Sequence, residues 1–168
     1  MGVKIPEGVT VEIAEGKLVV KGKQGSLEKP FDSRVVSAKV ENGEVVIALK
    51  AKQTRKSHAA VKTVEAHLKN LFAGVSEKFE KKMQVVYSHF PVTVEVKGKD
   101  IFIKNFLGEK TPRKAKVIGD AKVEVKGQDI IVSSSDIEAV GQTASNIRKA
   151  TRITKRDARV FQDGIYYS

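Results

Sequence analysis

The chain states one plan twice. Val9-Thr10-Val11-Glu12-Ile13 returns as Val92-Thr93-Val94-Glu95-Val96, an offset of 83 residues. At the same offset Leu18-Val19-Val20-Lys21 matches Ile101-Phe102-Ile103-Lys104, and Gly25 matches Gly108. Gly43 with Val45-Val46-Ile47 likewise resembles Gly127 with Asp129-Ile130-Ile131. A repeat this long means two copies of a small domain, not a solenoid array. The 168 residues then divide into 1–82 and 83–168, each long enough to fold alone. Function is expected where the copies differ.

In the first copy Val9, Val11 and Ile13 alternate with Thr10, Glu12 and Ala14, the pattern of a strand with one buried face. Glu15-Gly16 signals a turn and Leu18 to Val20 a second strand. Val35-Val36 with Val40 predicts a third strand, Asn42-Gly43 a hairpin turn, and Val45 to Leu49 a fourth strand. The period then changes: Val61, Val64, Leu68 and Leu71 lie on one helical face, with Gly74 placed as its carboxyl-terminal cap. The second copy repeats the order with Val92 to Val96, Ile101 to Phe106, Val123 to Val125 and Ile130 to Val132. A capping box at Ser135 and Glu138 then opens a helix carrying Ile137, Val140, Ala144 and Ile147. Polar residues 75–82 read as a linker, and Met83 to Phe90 as the opening of the second sheet. The expected fold is α+β: two tandem duplicated domains, each a small antiparallel sheet packed by one helix. Only the second copy carries a tail, Thr151 to Ser168.

Lys and Arg number 31 against 20 Asp and Glu, a net charge of +11. That excess on a small folded protein suggests a polyanionic partner. No run is long and apolar enough to span a bilayer, and the amino terminus lacks the apolar core of a signal peptide. A soluble cytoplasmic protein without a membrane partner is expected. The absence of Cys excludes disulfides, zinc ribbons and thiol nucleophiles. In the second half, Arg148, Lys149, Arg152, Lys155, Arg156 and Arg159 are opposed only by Asp157. Lys104, Lys110, Arg113, Lys114 and Lys116 form another cluster, opposed by Glu109. Cations at a helix end are stabilised by about 0.3–1 kcal/mol each through the macrodipole, which accounts for Arg148 and Lys149 but not for Arg152 to Arg159 beyond the helix. Phosphate binding is therefore the favoured reading of the tail. For Lys50, Lys52, Arg55 and Lys56, a run without an acid, phosphate binding and solvated surface weigh equally.

Nothing points to catalysis. His58 and His67 do not have the spacing of a helical chelating pair, and His89 adds no ligand cluster. No Gly-x-Ser-x-Gly elbow occurs. Gly22 to Ser26 and Gly108 to Lys110 both fail the phosphate-loop spacing. No catalytic residue, metal, cofactor or small-molecule substrate is expected. Phe102 and Phe106 would share one strand face, but no single-strand RNA signature surrounds them. Core packing is the better reading of Phe102; that of Phe106 stays open. An enzyme acting on a phosphorylated substrate would need a pocket of converging ionisable groups. A peripheral membrane protein would need an amphipathic helix with large exposed apolar residues.

Four stretches are more specific: Tyr87-Ser88-His89-Phe90-Pro91; Asn105-Phe106-Leu107-Gly108-Glu109-Lys110 with Pro112-Arg113; Asp136 to Gln142; and Arg159-Val160-Phe161-Gln162-Asp163-Gly164-Ile165-Tyr166. Together they resemble the large-subunit ribosomal protein L-six family in its archaeal and eukaryotic branch. The bacterial branch ends in a Lys-Gly-Lys-Gly type segment that is absent here. The chain stops at Tyr167-Ser168, where family members often continue with a few more residues. The resemblance implies a non-catalytic structural constituent of the large ribosomal subunit, with large-subunit rRNA and neighbouring large-subunit ribosomal proteins as partners. It implies rRNA binding mainly through the second domain, near the sarcin–ricin loop and the site where translation factors dock. By motif match it carries over to Asn105, Lys110, Arg113, Arg159 and Asp163. Charge alone adds Lys104, Lys114, Lys116, Arg148, Lys149, Arg152, Lys155 and Arg156. Arg113, Arg152 and Arg159 are expected to hold phosphates bidentately. Asp163-Gly164 is expected to form a turn that uses glycine at positive φ. The first domain would be a spacer or a contact for protein neighbours. The alternative is a generic structured-RNA-binding protein outside the ribosome.

Overall fold

A computed structural model describes residues 2–14, 16–41, 43–50, 52–154, 156–157 and 159–168. The expectations placed on Glu15, Asn42 and Lys155 lie outside the described residues. The chain divides into two compact units, Met1–Lys78 and Phe79–Ser168. The break falls four residues before the expected one. Residues 75–82 are not a linker, because Val75 is buried within a helix and Phe79–Val86 is one continuous strand.

The first unit contains β1 (Gly2–Lys4), β2 (Thr10–Ala14), β3 (Lys17–Gly22), β4 (Gly25–Pro30), β5 (Val36–Glu41), β6 (Glu44–Leu49) and α1 (Arg55–Ser76). Its strands form two antiparallel sheets, β1-β6-β5 and β2-β3-β4, and α1 packs on strands of both. Alternation buries Leu18 and Val20 of β3 and Val45 and Ile47 of β6. The three-four-three face of α1 meets them with Val61, Val64, Leu68 and Leu71, extended by Phe72 and Val75. Complete burial of Leu68 alone is worth about 1.5–3 kcal/mol. Thr54 caps the helix reciprocally: the Ser57 amide donates to its hydroxyl at 3.2 Å, and its own amide donates to Ser57 Oγ at 2.8 Å. Gly74 is not the carboxyl-terminal cap. It is buried inside the helix, which runs to Ser76 before the Glu77 amide donates to the Ala73 carbonyl. That extra turn presses Val75 onto the β3–β4 hairpin, where its carbonyl accepts from the Gln24 amide at 3.1 Å.

The second unit contains β7 (Phe79–Val86), β8 (Thr93–Lys97), β9 (Asp100–Lys104), β10 (Arg113–Lys116), β11 (Lys122–Lys126), β12 (Asp129–Ser134), α2 (Ile137–Ala150) and β13 (Gly164–Tyr167). The sheets are β10-β9-β8 and β11-β12-β7-β13, all pairs antiparallel. Val140, Ala144 and Ile147 of α2 close a core with Met83, Val85, Ile101, Ile103, Ile130 and Val132, whereas Ile137 stays exposed. The cap is Asp136 rather than Ser135: its carboxylate accepts from the Glu138 amide at 3.0 Å. With Asp136 as the cap the third helical residue is Ala139, which has no side-chain acceptor, so the expected reciprocal box does not form and the cap is one-sided.

Strand for strand, β7 to β12 repeat β1 to β6. Two features distinguish the second unit. Only Lys23-Gln24 joins β3 to β4, whereas residues 105–112 join β9 to β10. And β13 adds a fourth strand, paired to β7, with no counterpart among the described residues of the first unit.

Candidate nucleic-acid interface

The 105–112 connection is a strained loop with a buried anchor. Asn105 (φ 58) and Leu107 (φ 51) both take the left-handed conformation. For Leu107 this costs roughly 1–2 kcal/mol, whereas Asn takes the conformation more readily. The loop tolerates it because Phe106 and Leu107 are buried in the core, and because Asn105 Nδ2 donates to the Pro91 carbonyl at 3.1 Å. Phe106 therefore does not share a strand face with Phe102. The strand ends at Lys104, Phe106 turns inward in a short 3-10 helix (Phe106–Gly108), and Phe102 is only half-buried. A Cβ on Gly108 would stand 3.3 Å from the Phe90 ring, so Phe90 and Pro91 lie directly against this loop.

Arg113, the first residue of β10, ties the loop to α2. Its Nε and Nη2 donate to the two Glu109 oxygens at 2.8 and 2.6 Å. Its Nη1 donates to the carbonyls of Ala150 and Arg152 at 2.9 and 3.2 Å. Its guanidinium carbon lies 4.4 Å from the Phe106 ring centre. A guanidinium has five N–H groups, so one remains. The Arg113 hydrogen bonds hold the Glu109 carboxyl below the usual glutamate range, against the opposing effect of burial; the charges of Arg113 and Arg156 act in the same direction. Arg113, expected on phosphate, is thus an internal staple. Lys104 is also engaged, with Glu95 at 2.5 Å, and that bond lowers the Glu95 carboxyl.

The tail is fastened at two further points. Buried Thr151 Oγ1 lies 3.1 Å from the Arg148 carbonyl and accepts from the Ile165 amide at 3.2 Å. Buried Asp163 accepts from the Ser88 amide at 3.0 Å. Asp163 therefore faces inward rather than toward a ligand. Gly164 sits in β13 and does not have positive φ. A Cβ there would stand 2.9 Å from the outer edge of the exposed Tyr166 ring, so a larger residue would displace that ring.

On this frame Lys110, Lys114, Lys116, Arg148, Lys149, Arg152, Arg156 and Arg159 are all exposed. None forms an ion pair with a carboxylate among the described residues. Arg148 lies over Tyr167 at 5.3 Å, Arg156 over Phe161 at 4.8 Å and Lys114 over Phe102 at 5.4 Å. Lys114 and Lys116 flank buried Ala115, so β10 presents both on one face. With Asn146 and Lys149 of α2 they line a groove between the two elements. Asn146 braces it by donating to the Lys116 carbonyl at 2.9 Å. The sequence reading missed Asn146, although it stands one helical turn from Lys149. It also missed Tyr167, whose ring lies beneath both Lys81 and Arg148.

The family described as Ribosomal protein L6 matches residues 5–78 and 90–164, one stretch in each unit. The chain belongs to the ribosomal protein L6 family. It is 49% identical to the large ribosomal subunit protein uL6 of Methanosarcina mazei, over 98% of the chain and 93% of that relative. It is 48% identical to that of Staphylothermus marinus and 45% identical to that of Ignicoccus hospitalis, each over 98% of the chain and 90% of the relative. These relatives place it with the archaeal type of the L6 family. Across the L6 plan the described residues bring no three His, Asp or Glu side chains together as metal ligands. No described helix is long and apolar enough to cross a membrane.

Proposed function

We propose that the chain is a structural constituent of the large ribosomal subunit. Its second unit holds large-subunit rRNA near the sarcin–ricin loop and the docking site of translation factors. The observation that carries this reading is the set of eight exposed cations that form no close ion pair among the described residues, drawn from the loop, β10, α2 and the tail. Cations held this way neutralise phosphates and release condensed counterions, which gives affinity and register without base reading. Arg148, Arg152, Arg156 and Arg159 supply planar forks for phosphate oxygens. Asn105, Arg113 and Asp163 act one step back, by holding the loop and tail that carry those groups. Lys104 has one partner inside the protein and two donors still available. Family membership favours the ribosome over a generic RNA-binding role, and the motif resemblance supports the sarcin–ricin neighbourhood.

The test is a filter-binding titration of the full chain against deproteinised large-subunit rRNA at graded salt. Replacing Lys114, Lys116, Lys149 and Arg152 by Ala is expected to flatten the log–log salt slope by about 2–4, at roughly 0.9 per phosphate released. An unchanged slope would remove this surface from the interface. Co-sedimentation with high-salt-washed large subunits separates the ribosomal role from a generic one.

A further inference from the structure

A second set of cations in the first unit has no role in that reading. Lys50 and Lys52 lie just ahead of α1, and Arg55 and Lys56 are its first two residues. All four are exposed, and none forms an ion pair among the described residues. The same helix treats its other cations differently. Lys62 and Lys69 share Glu65 at 3.1 and 2.9 Å, and their hydrogen bonds lower that carboxyl. The first turn of α1 contains no acid. Positive charge there opposes the helix macrodipole, and the four cations also repel one another. Among the described residues no carboxylate is paired with them in return.

The backbone beneath them is fixed. Buried Ser57 places its Oγ 2.9 Å from the Lys52 carbonyl and accepts from the Thr54 amide at 2.8 Å. The surroundings are polar: Gln53, Thr54 and His58 are exposed beside the cations. Among the described residues the one exposed large apolar side chain of this unit is Val40, on β5. A protein-docking surface has an apolar, charge-depleted centre, whereas a phosphate backbone asks for cations and polar groups alone.

We infer that Lys50, Lys52, Arg55 and Lys56 form a second RNA contact, through phosphates, distinct from the basic surface of the second unit. This rests on the rRNA-binding reading above. It replaces the expectation that the first unit is a spacer or a contact for protein neighbours.

The experiment uses the full chain and deproteinised large-subunit rRNA, with salt titration and hydroxyl-radical footprinting of the RNA. Three proteins are compared: wild type, a variant with Lys50, Lys52, Arg55 and Lys56 all replaced by Gln, and the second-unit alanine variant. The first-unit variant is expected to flatten the salt slope by about 2–3.5 and to lose one protected RNA patch while keeping another. Its thermal midpoint is expected to hold or rise, because repulsion at the helix start is relieved. If the first-unit variant keeps the wild-type slope and footprint while the second-unit variant weakens, the inference falls and the rRNA reading stands. If neither variant changes either readout, both fall. Should the quadruple variant unfold, Lys50→Gln with Lys52→Gln leaves the helix untouched. It is expected to remove about 1–2 of slope, and an unchanged slope there overturns the inference equally.

Discussion

Replacing Arg113 by Ala removes five contacts from one place: two bonds to Glu109, two to backbone carbonyls and a stack on Phe106. The Glu109 side chain is 41% exposed, so its pair is screened and is worth about 1 kcal/mol or less. The Arg113 side chain is only 26% exposed, and its bonds to the Ala150 and Arg152 carbonyls are charge-assisted, at roughly 1 kcal/mol each after discounting for partial exposure. The stack adds about 0.5–1 kcal/mol. The second unit should therefore lose about 2–4 kcal/mol, or on the order of 10 °C in Tm for a domain of this size.

The chain offers a probe specific to that unit. It has no Trp, and its three Tyr, at positions 87, 166 and 167, all lie in Phe79–Ser168. Tyrosine fluorescence in a urea titration reads the second unit alone, and far-UV dichroism reads both. Arg113→Lys keeps the charge but cannot span Glu109 and two carbonyls at once, so it should lose nearly as much stability as Ala. The reasoning would be refuted if Arg113→Ala shifts the tyrosine-monitored stability by less than about 0.5 kcal/mol while rRNA affinity drops tenfold. That result would make Arg113 a direct phosphate ligand.

Two other outcomes follow from the packing and the charge. Gly22→Ala puts a Cβ 2.8 Å from the Val75 Cγ1 methyl, which is buried, so the first unit should lose about 1–3 kcal/mol by far-UV dichroism with no change in tyrosine signal. The lowered Glu109 carboxyl contributes stability that is present above the unfolded glutamate value of about 4.3 and lost as pH falls through the folded value; wild type should therefore exceed Glu109→Gln in urea stability near neutrality, and the gap should close below about pH 4.

The sequence made the core strands readable because each buries one face. The alternations of Val9 to Ile13 and Val92 to Val96, and the runs at Leu18 to Val20 and Ile101 to Ile103, mark β2, β8, β3 and β9. β1 escaped because it is three residues long with one buried side chain, Val3. β4 escaped because Gly25-Ser26-Leu27-Glu28-Lys29-Pro30 contains no fully buried residue and ends in proline. The cations of the tail were visible as composition, but their engagement was not. Arg113 meets carbonyls 37 and 39 positions away, and Asp163 meets an amide 75 positions away. No local period records such distances. The staple therefore looked like one more phosphate ligand, and Phe106 was read into a strand that had already ended.

Those long-range bonds also explain how the second copy can carry a basic tail that is ordered before it meets a ligand. A basic tail left as a loose arm would lose backbone entropy on meeting RNA, about 1–2 kcal/mol for every residue ordered. Here Thr151, Asp163 and the pairing of β13 with β7 place most of that cost in the folding of the unit, before any RNA arrives. The lengthened β9–β10 connection is held in turn by the tail, because the carbonyls that receive Arg113 lie at the end of α2 and just beyond it. Each addition holds the other in place, with Lys110 on the loop and Arg152, Arg156 and Arg159 on the tail. The first unit has the short hairpin and, among its described residues, no such tail, so its cations are held locally, by the Lys50 amide donating to the Val35 carbonyl at 3.0 Å and by the capped first turn of α1. Phosphate binding at the two surfaces should therefore differ in how it fails. Local changes at Thr54 or Ser57 should loosen the first, while only a change reaching across the unit, at Arg113 or Asp163, should loosen the second.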